Sequence, residues 1–440
     1  MERIVFMNRF ILFWISISSI ALTAERHWTD ASSGRILSAE YVSSNDYSVT
    51  LRRSADGREF VLPLASLIDA DREFVATEAK IVREKARADL FEEHYWDNTD
   101  QVRVSGGVDM KFHALDRSII SLIYTKRIGS LVMAISQDGK IIYDKAFGYQ
   151  DLEEKRPLQP GTSMRLASIS KPITAAAAKT LIRNGKLNES DTVWQLLELE
   201  GRASTGVDPR WKEVTIGHLL NHEGGWDREL SGDPSFKAPE IAEAMQTELG
   251  GLTFGHTLLW MLKHPLDFDP GSKEVYSNFG YSLLAYVCGR VSSKAWEEVL
   301  KETVGATAGM TTLHLSPSDL EKRPPGEIWY HYFPEYQGEP EVIPLRMEIQ
   351  HGSGSIACTA SDLCRFLEHY WISGEPRDES NASYTFFGSM PGTTSLCRQF
   401  PNGLNFAVIA NRRGGSSSEW NEEINEEIES ILTKLELIGQ

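Results

Sequence analysis

Ser168 and Lys171 stand three residues apart in Met164-Arg165-Leu166-Ala167-Ser168-Ile169-Ser170-Lys171-Pro172, and a run of alanines, Ala175 to Ala178, follows. On a helix such a spacing puts both side chains on one face. A serine hydroxyl is a weak nucleophile until a base takes its proton. A lysine can be that base when burial and nearby positive charge keep it neutral. The start of a helix helps on both counts, because its dipole disfavours the ammonium and its free N–H groups can hold an oxyanion. Farther along, Tyr276 and Asn278 lie two apart in Pro270-Gly271-Ser272-Lys273-Glu274-Val275-Tyr276-Ser277-Asn278. Irregular backbone there can aim both into one cleft. Tyr276 could act as a phenolate base or pass a proton to a leaving group, and Asn278 could orient Lys171 and hydrogen-bond a substrate carbonyl.

These groups need elements to hold them. Pro172 fits only the first turn of a helix, where its missing N–H has no partner to lose. The alanines let that helix sit deep among neighbours, and Asn184-Gly185 supplies its stop. An apolar helix, Leu283 to Val291, follows Asn278. Leu131 to Ile135 and Lys140 to Tyr143 flank Asp138-Gly139 as a hairpin, and a second hairpin joins Ser395 to Phe400 and Leu404 to Ala410 across Asn402-Gly403. An amphipathic helix closes the chain over about 419–435. Strands at both ends with helices between them predict one antiparallel sheet completed by late strands. His218 and His222, four apart, read as structural histidines, since nothing nearby in sequence completes a catalytic set around them. His351-Gly352-Ser353-Gly354 reads as a glycine-rich loop leading to a helix capped by Thr359 or Ser361.

The Ser168-x-x-Lys171 and Tyr276-x-Asn278 stretches together resemble the motifs of the serine β-lactamase and penicillin-binding-protein superfamily, in the branch of class C β-lactamases, DD-peptidases and related esterases. The resemblance extends over about 110–440. It implies an α/β (α+β) fold with an antiparallel sheet domain, a helical domain and the active site between them. It also implies a third motif, a Lys or His, one residue, then Gly, with Pro-Gly soon after. The matching segment is Phe386-Phe387-Gly388-Ser389-Met390-Pro391-Gly392. Gly388 and the Pro391-Gly392 pair are in register, but Phe386 stands where the basic residue belongs. The N–H of Ser389 would still form an oxyanion hole with that of Ser168. Without the basic residue, β-lactam hydrolysis and recognition of a D-alanyl carboxylate lose their usual partner.

The chain has 440 residues and a net charge of −17, which argues against nucleic acid and anionic membrane surfaces as partners. Its four cysteines, Cys288, Cys358, Cys364 and Cys397, are too few and too spread for a disulfide scaffold, and buried thiols or at most one bridge are expected. His222-Glu223 lacks the second histidine of a zinc helix, so no metal and no cofactor is predicted. Residues 1–24 read as an export signal: Arg3 and Arg9 precede an apolar run, Phe10 to Ala21, too short to span a bilayer comfortably. Either cleavage near Ala21 or Ala24 or retention as an N-terminal anchor is compatible with it, and the product is expected outside the cytoplasm, periplasmic or extracellular. Residues 25–77 read as short strands in a small β-barrel. Arg26-x-Trp28-Thr29-Asp30 and Leu64-x-x-Leu67-x-x-Ala70-Asp71 make this unit resemble the SH3-like Sla-type homology domain. Adaptor versions bind short peptides, so a peptide or protein contact through the barrel is implied, although a structural or tethering role is the simpler expectation. A charged helical linker is predicted over 78–109, and the hydrolase domain over 110–440. The sequence thus predicts an exported serine hydrolase that cleaves a small-molecule or peptide ester, amide or lactam through Ser168. The alternative is a catalytically impaired relative that binds cell-wall peptide or a protein partner.

Overall fold

The structure is a computed structural model. It describes residues 25–44, 47–79, 102–126, 128–151, 156–200, 206–319, 322–328, 330, 345–378, 382–413 and 417–438. The expected export signal (1–24) and most of the expected charged linker (80–101) lie outside the described residues. The chain divides into two compact units, Met1–Ala86 and Arg87–Gln440.

In the first unit, strands β1 (Arg26–Thr29), β2 (Ile36–Ser44), β3 (Ser48–Arg53) and β4 (Glu59–Pro63) pair antiparallel in that order. Their side chains alternate along β3, so Val49 and Leu51 are buried while Thr50 and Arg52 take the more open face. Trp28 is enclosed: its indole N–H donates to the Ala39 carbonyl at 3.0 Å, and Phe74 meets its ring edge-on. Asp71 accepts from the Arg26 guanidinium at 2.8 Å and from the Thr29 N–H at 2.7 Å, which joins the two ends of the unit. Among the described strands the row is open, with no ladder between β1 and β4. The unit is a small antiparallel β unit.

The second unit is built on a six-stranded antiparallel sheet. Its strands are β5 (Val104–Gly106), β6 (Leu131–Gln137), β7 (Lys140–Phe147), β13 (Tyr384–Met390), β14 (Thr393–Gln399) and β15 (Leu404–Ala410), in the order β13-β14-β15-β6-β7-β5. A small clip pairs β8 (Tyr149–Asp151) with β9 (Arg156–Pro157). A three-stranded sheet sets β12 (Ile356–Cys358) between β10 (Met164–Arg165) and β11 (His314–Leu315).

Helices cover both faces of the large sheet. Met133 and Ile135 pack with Leu115, Ile119, Ile428 and Leu432 of the terminal helices His113–Lys126 and Ser417–Lys434. Val132 and Ala134 pack into the larger core of the helices Ser170–Arg183, Asn278–Ser292 and Ala360–His369. A sheet buried on both faces favours near-continuous apolar central strands: Leu404–Ala410 is buried throughout, and its one polar residue, Asn405, donates to Glu368 at 2.6 Å and to the Ser136 hydroxyl at 3.2 Å. The predicted alanine run is buried throughout in the Ser170–Arg183 helix, with Pro172 in its first turn. Gly352 wedges between that helix and the next one: a Cβ there would lie 2.3 Å from the Tyr281 carbonyl and 2.6 Å from the Ala285 methyl. All four cysteines are free and buried. Among the described residues no helix is long and apolar enough to cross a membrane, and no group of three or more His, Cys, Asp or Glu is placed to hold a metal.

Candidate active site

Ser168 sits in a single tight turn, Ala167–Ile169, between β10 and the helix that starts at Ser170. Ala167 has φ +49, a left-handed conformation that side chains other than glycine adopt at a cost. The turn is held from several sides. The Ser395 hydroxyl donates to the Leu166 carbonyl at 2.6 Å, and the Ile356 N–H donates to the Ser170 hydroxyl at 3.2 Å. The Arg165 N–H donates to the Tyr330 hydroxyl at 2.7 Å. This fixing leaves Ser168 half-buried at the head of the helix, with Lys171 buried below it.

Lys171 has three polar neighbours. Its Nζ lies 2.7 Å from Asn278 Oδ1, 3.0 Å from the Ser353 carbonyl and 3.3 Å from Ser168 Oγ. Asn278 Nδ2 donates to Asp233 at 2.6 Å. A carboxylate only accepts, so this contact fixes the amide's orientation and turns its oxygen to Lys171. Burial pushes the Lys171 amine down from 10.5 to about 7, with the Arg228 guanidinium adding to that push and the Asp233 carboxylate opposing it. A neutral amine has two N–H donors and one lone pair. Asn278 and Ser353 offer only acceptors and take the two donors. The lone pair is left for the Ser168 hydroxyl.

Tyr276 completes the cluster. Its hydroxyl donates to Ser168 Oγ at 2.8 Å, and the Lys171 Nζ lies 4.5 Å from its ring centroid. Burial raises this phenol to about 12, against the lowering effect of the bond to Ser168 and of Arg228. The phenol is therefore a proton-bearing group at neutral pH. Of the two roles read for it, this environment suits passing a proton. Ser277, not Asn278, caps the following helix, through Gly280 N at 3.0 Å. Asn278 is the first helical residue, so its side chain is free to reach into the cleft.

The third motif occupies the free edge of the large sheet. Met390 and Thr393 flank the two-residue turn Pro391-Gly392, in which Gly392 has φ +76. Residues flanking such a turn share a close pair of hydrogen bonds, so the next pair, Ser389 and Thr394, does not bond to itself. The Ser389 N–H consequently points off the edge. Gly388 presses on the nucleophile turn: a Cβ there would lie 2.2 Å from Ser395 Oγ, 2.4 Å from the Leu166 carbonyl and 3.1 Å from the Ser168 nitrogen. Phe386 shares the face of Gly388 and packs, partly buried, against the main core. It brings apolar surface and no charge.

The residues singled out in the sequence thus fall into one cluster, Ser168, Lys171, Tyr276 and Asn278, with Gly388 against the nucleophile turn. Others had no sequence signal. Asp233 reads only as the cap of a short turn ahead of Pro234, a role it also fills through Ser235 N at 3.0 Å. Arg228 lies in an unremarkable loop, yet its guanidinium carbon is 5.5 Å from the Tyr276 ring centroid. His218 is structural, closing a capping box with Thr215. His222 lines the site: its ring lies 4.8 Å from those of Tyr276 and of Tyr281, and its Nδ1 accepts from the Ser277 N–H at 3.1 Å. Burial, assisted by Lys171, pushes its imidazole down to about 4, so it stays neutral.

The family model described as Beta-lactamase matches residues 102–416. Penicillin-binding protein 4* of Bacillus subtilis (strain 168) is 29% identical over 248 residues, 52% of this chain and 50% of its own length. Esterase EstB of Burkholderia gladioli is 28% identical over 241 residues, 54% of this chain and 57% of its own. The chain thus spans only about half the length of these relatives. The octameric penicillin-binding protein homologue from Pyrococcus abyssi superposes with a TM-score of 0.55 at 20% identity, covering 73% of this chain and 78% of that one, which shows a shared fold.

Proposed function

The chain belongs to the Beta-lactamase family, and from that premise we propose that it is a serine hydrolase that opens an ester or amide bond through an acyl-enzyme on Ser168. The observation that carries this reading is the partnering of Lys171: two acceptors face its N–H groups, burial brings its amine down to about 7, and Ser168 Oγ lies 3.3 Å away, where the lone pair of the neutral amine can take the hydroxyl proton. Lys171 takes the Ser168 proton as Oγ attacks the carbonyl carbon. The oxyanion lies against the N–H groups of Ser168 and Ser389. As the tetrahedral intermediate collapses, Tyr276 gives its phenolic proton to the leaving group and regains one from the Lys171 ammonium. Water then attacks the acyl carbon, loses a proton into the same pair, and Ser168 recovers its own. Asn278 and Asp233 hold the amine in place throughout.

Ester and amide bonds both yield to this sequence of transfers, which agrees with relatives named as an esterase and as a penicillin-binding protein. Phe386 favours a second reading, a binding protein with a silent site. A fluorophosphonate label followed by mass spectrometry separates the two. The wild-type protein should gain one adduct, on Ser168, and hydrolyse p-nitrophenyl acetate. Ser168→Ala should do neither while keeping its circular dichroism. A wild-type protein that takes no label would support the binding reading. Export by the Phe10–Ala21 run, and a tethering role for the 25–77 β unit, complete the proposal.

A further inference from the structure

Phe386 leaves the edge of the large sheet without the expected cation, but the cleft has one from another direction. The loop after His222 carries Arg228, and the backbone around it is fixed. Ser231 N donates to the Asp227 carbonyl at 3.0 Å and Gly232 N to the Arg228 carbonyl at 3.1 Å. Asp267 accepts from Asp227 N and from the Ser231 hydroxyl, each at 2.8 Å.

The acidic groups around the loop are engaged elsewhere. Asp227 pairs with Lys273 at 3.3 Å, and Asp233 accepts from Asn278 and from Ser235 N. Arg228 itself meets only its exposed neighbour Glu229, at 3.5 Å, among the ion pairs of the described residues. Such a surface contact is weak. Half of the Arg228 side chain is open to solvent, and its guanidinium lies over the ring whose hydroxyl bonds to Ser168.

We propose that Arg228 is the specificity-determining cation of this cleft and that the substrate carries a carboxylate a few bonds from the scissile carbonyl. This rests on the hydrolase reading above. One tyrosine ring separates the guanidinium from the nucleophile, which suits an acyl group with an acidic tail. Arginine's planar fork accepts a carboxylate through two parallel hydrogen bonds, and its charge persists at every working pH. An anion docked there meets no lysine or histidine requirement at position 386, so Phe386 can stay as packing.

Three esters test this: p-nitrophenyl hemiglutarate (acidic tail), p-nitrophenyl pentanoate (neutral) and p-nitrophenyl 6-aminohexanoate (cationic). The wild-type protein should prefer the acidic one. In Arg228→Gln, kcat/KM for the hemiglutarate should fall by about thirtyfold or more, chiefly through KM, the loss expected for a hydrogen-bonded charge. Measured at pH 9, well above the Lys171 titration so that the loss of the Arg228 charge beside that amine does not enter, the pentanoate should lose about threefold at most, and Arg228→Lys should recover part of the acidic preference as a point charge. Equal losses on the acidic and neutral esters, or a wild-type preference for the cationic ester, would overturn the assignment while Ser168-dependent turnover upholds the hydrolase reading. If no ester is turned over, both readings fall together.

Discussion

The sharpest consequence of the site concerns the pH at which Lys171 becomes a base. With its amine at about 7, roughly a tenth of the protein has a neutral Lys171 at pH 6 and roughly a hundredth at pH 5. kcat/KM for a neutral ester should therefore rise tenfold per pH unit up to about 7 and level off above it. His222, at about 4, and Tyr276, at about 12, titrate outside that window. Two charged groups act on the amine, Asp233 favouring its ammonium form and Arg228 disfavouring it. Asp233 stands one side-chain amide away, beyond Asn278. Unit charges about 7 Å apart at an effective dielectric near 20 interact by about 2.4 kcal/mol, between one and two pH units.

Asp233→Asn should thus lower the plateau, because Asn278 is less firmly oriented, yet move the limb down to about pH 5–6. At pH 6 the variant should retain about half or more of its own plateau, against about a tenth for the wild type. Initial rates on p-nitrophenyl pentanoate from pH 4.5 to 9 measure this directly. A limb that stays at 7, or moves upward, would refute the assignment of Lys171 as the titrating base. Stability gives an independent check. Below about 7 the amine is protonated in both folded and unfolded chains; between 7 and 10.5 the unfolded chain holds more protons, so stability rises with pH and the gain is complete above 10.5. From pH 7 to 9 this is about 2–3 kcal/mol. Denaturant midpoints for Lys171→Met should lack that increment.

Two other substitutions probe how the nucleophile is held. Gly388→Ala places a methyl against Ser395 and Leu166, which should cost about 1–3 kcal/mol in denaturant unfolding. By drawing the Ser389 N–H away from the nucleophile turn it should also lower kcat by about a hundredfold. Arg165 is fully buried, donates to Ser316 at 3.0 Å and stacks on Tyr330 at 4.2 Å beside the buried carboxylate of Glu327. Arg165→Met removes one partner of a buried charge and should cost about 3–5 kcal/mol, seen as a lowered thermal midpoint.

Local chemistry wrote much of this protein into its sequence. Ser168 and Lys171 are three residues apart, and covalent spacing alone puts them within one turn. Pro172, the alanines and Asn184-Gly185 fix where that helix begins, how deep it lies and where it ends, through steric and capping effects that act within a few residues. The same holds for the hairpins at Asp138-Gly139 and Asn402-Gly403, whose turns bring neighbouring strands of the sheet together. Phe386 was visible as a missing cation only through the family resemblance, which sets a basic residue two positions before Gly388.

What only the tertiary structure decided is the environment of each of these groups. Nothing near Lys171 in the chain says that its amine is buried, that Ser353 and Asn278 occupy its donors, or that Asp233 and Arg228 act on it in opposite senses. These partners arrive from segments far apart in sequence, and desolvation depends on everything packed around the amine at once. Tyr276 likewise changed from an ambiguous phenol to a proton-bearing one because His222 and the surrounding core exclude water from it. Sequence spacing decides which atoms can meet; the three-dimensional packing decides which of them carries the proton.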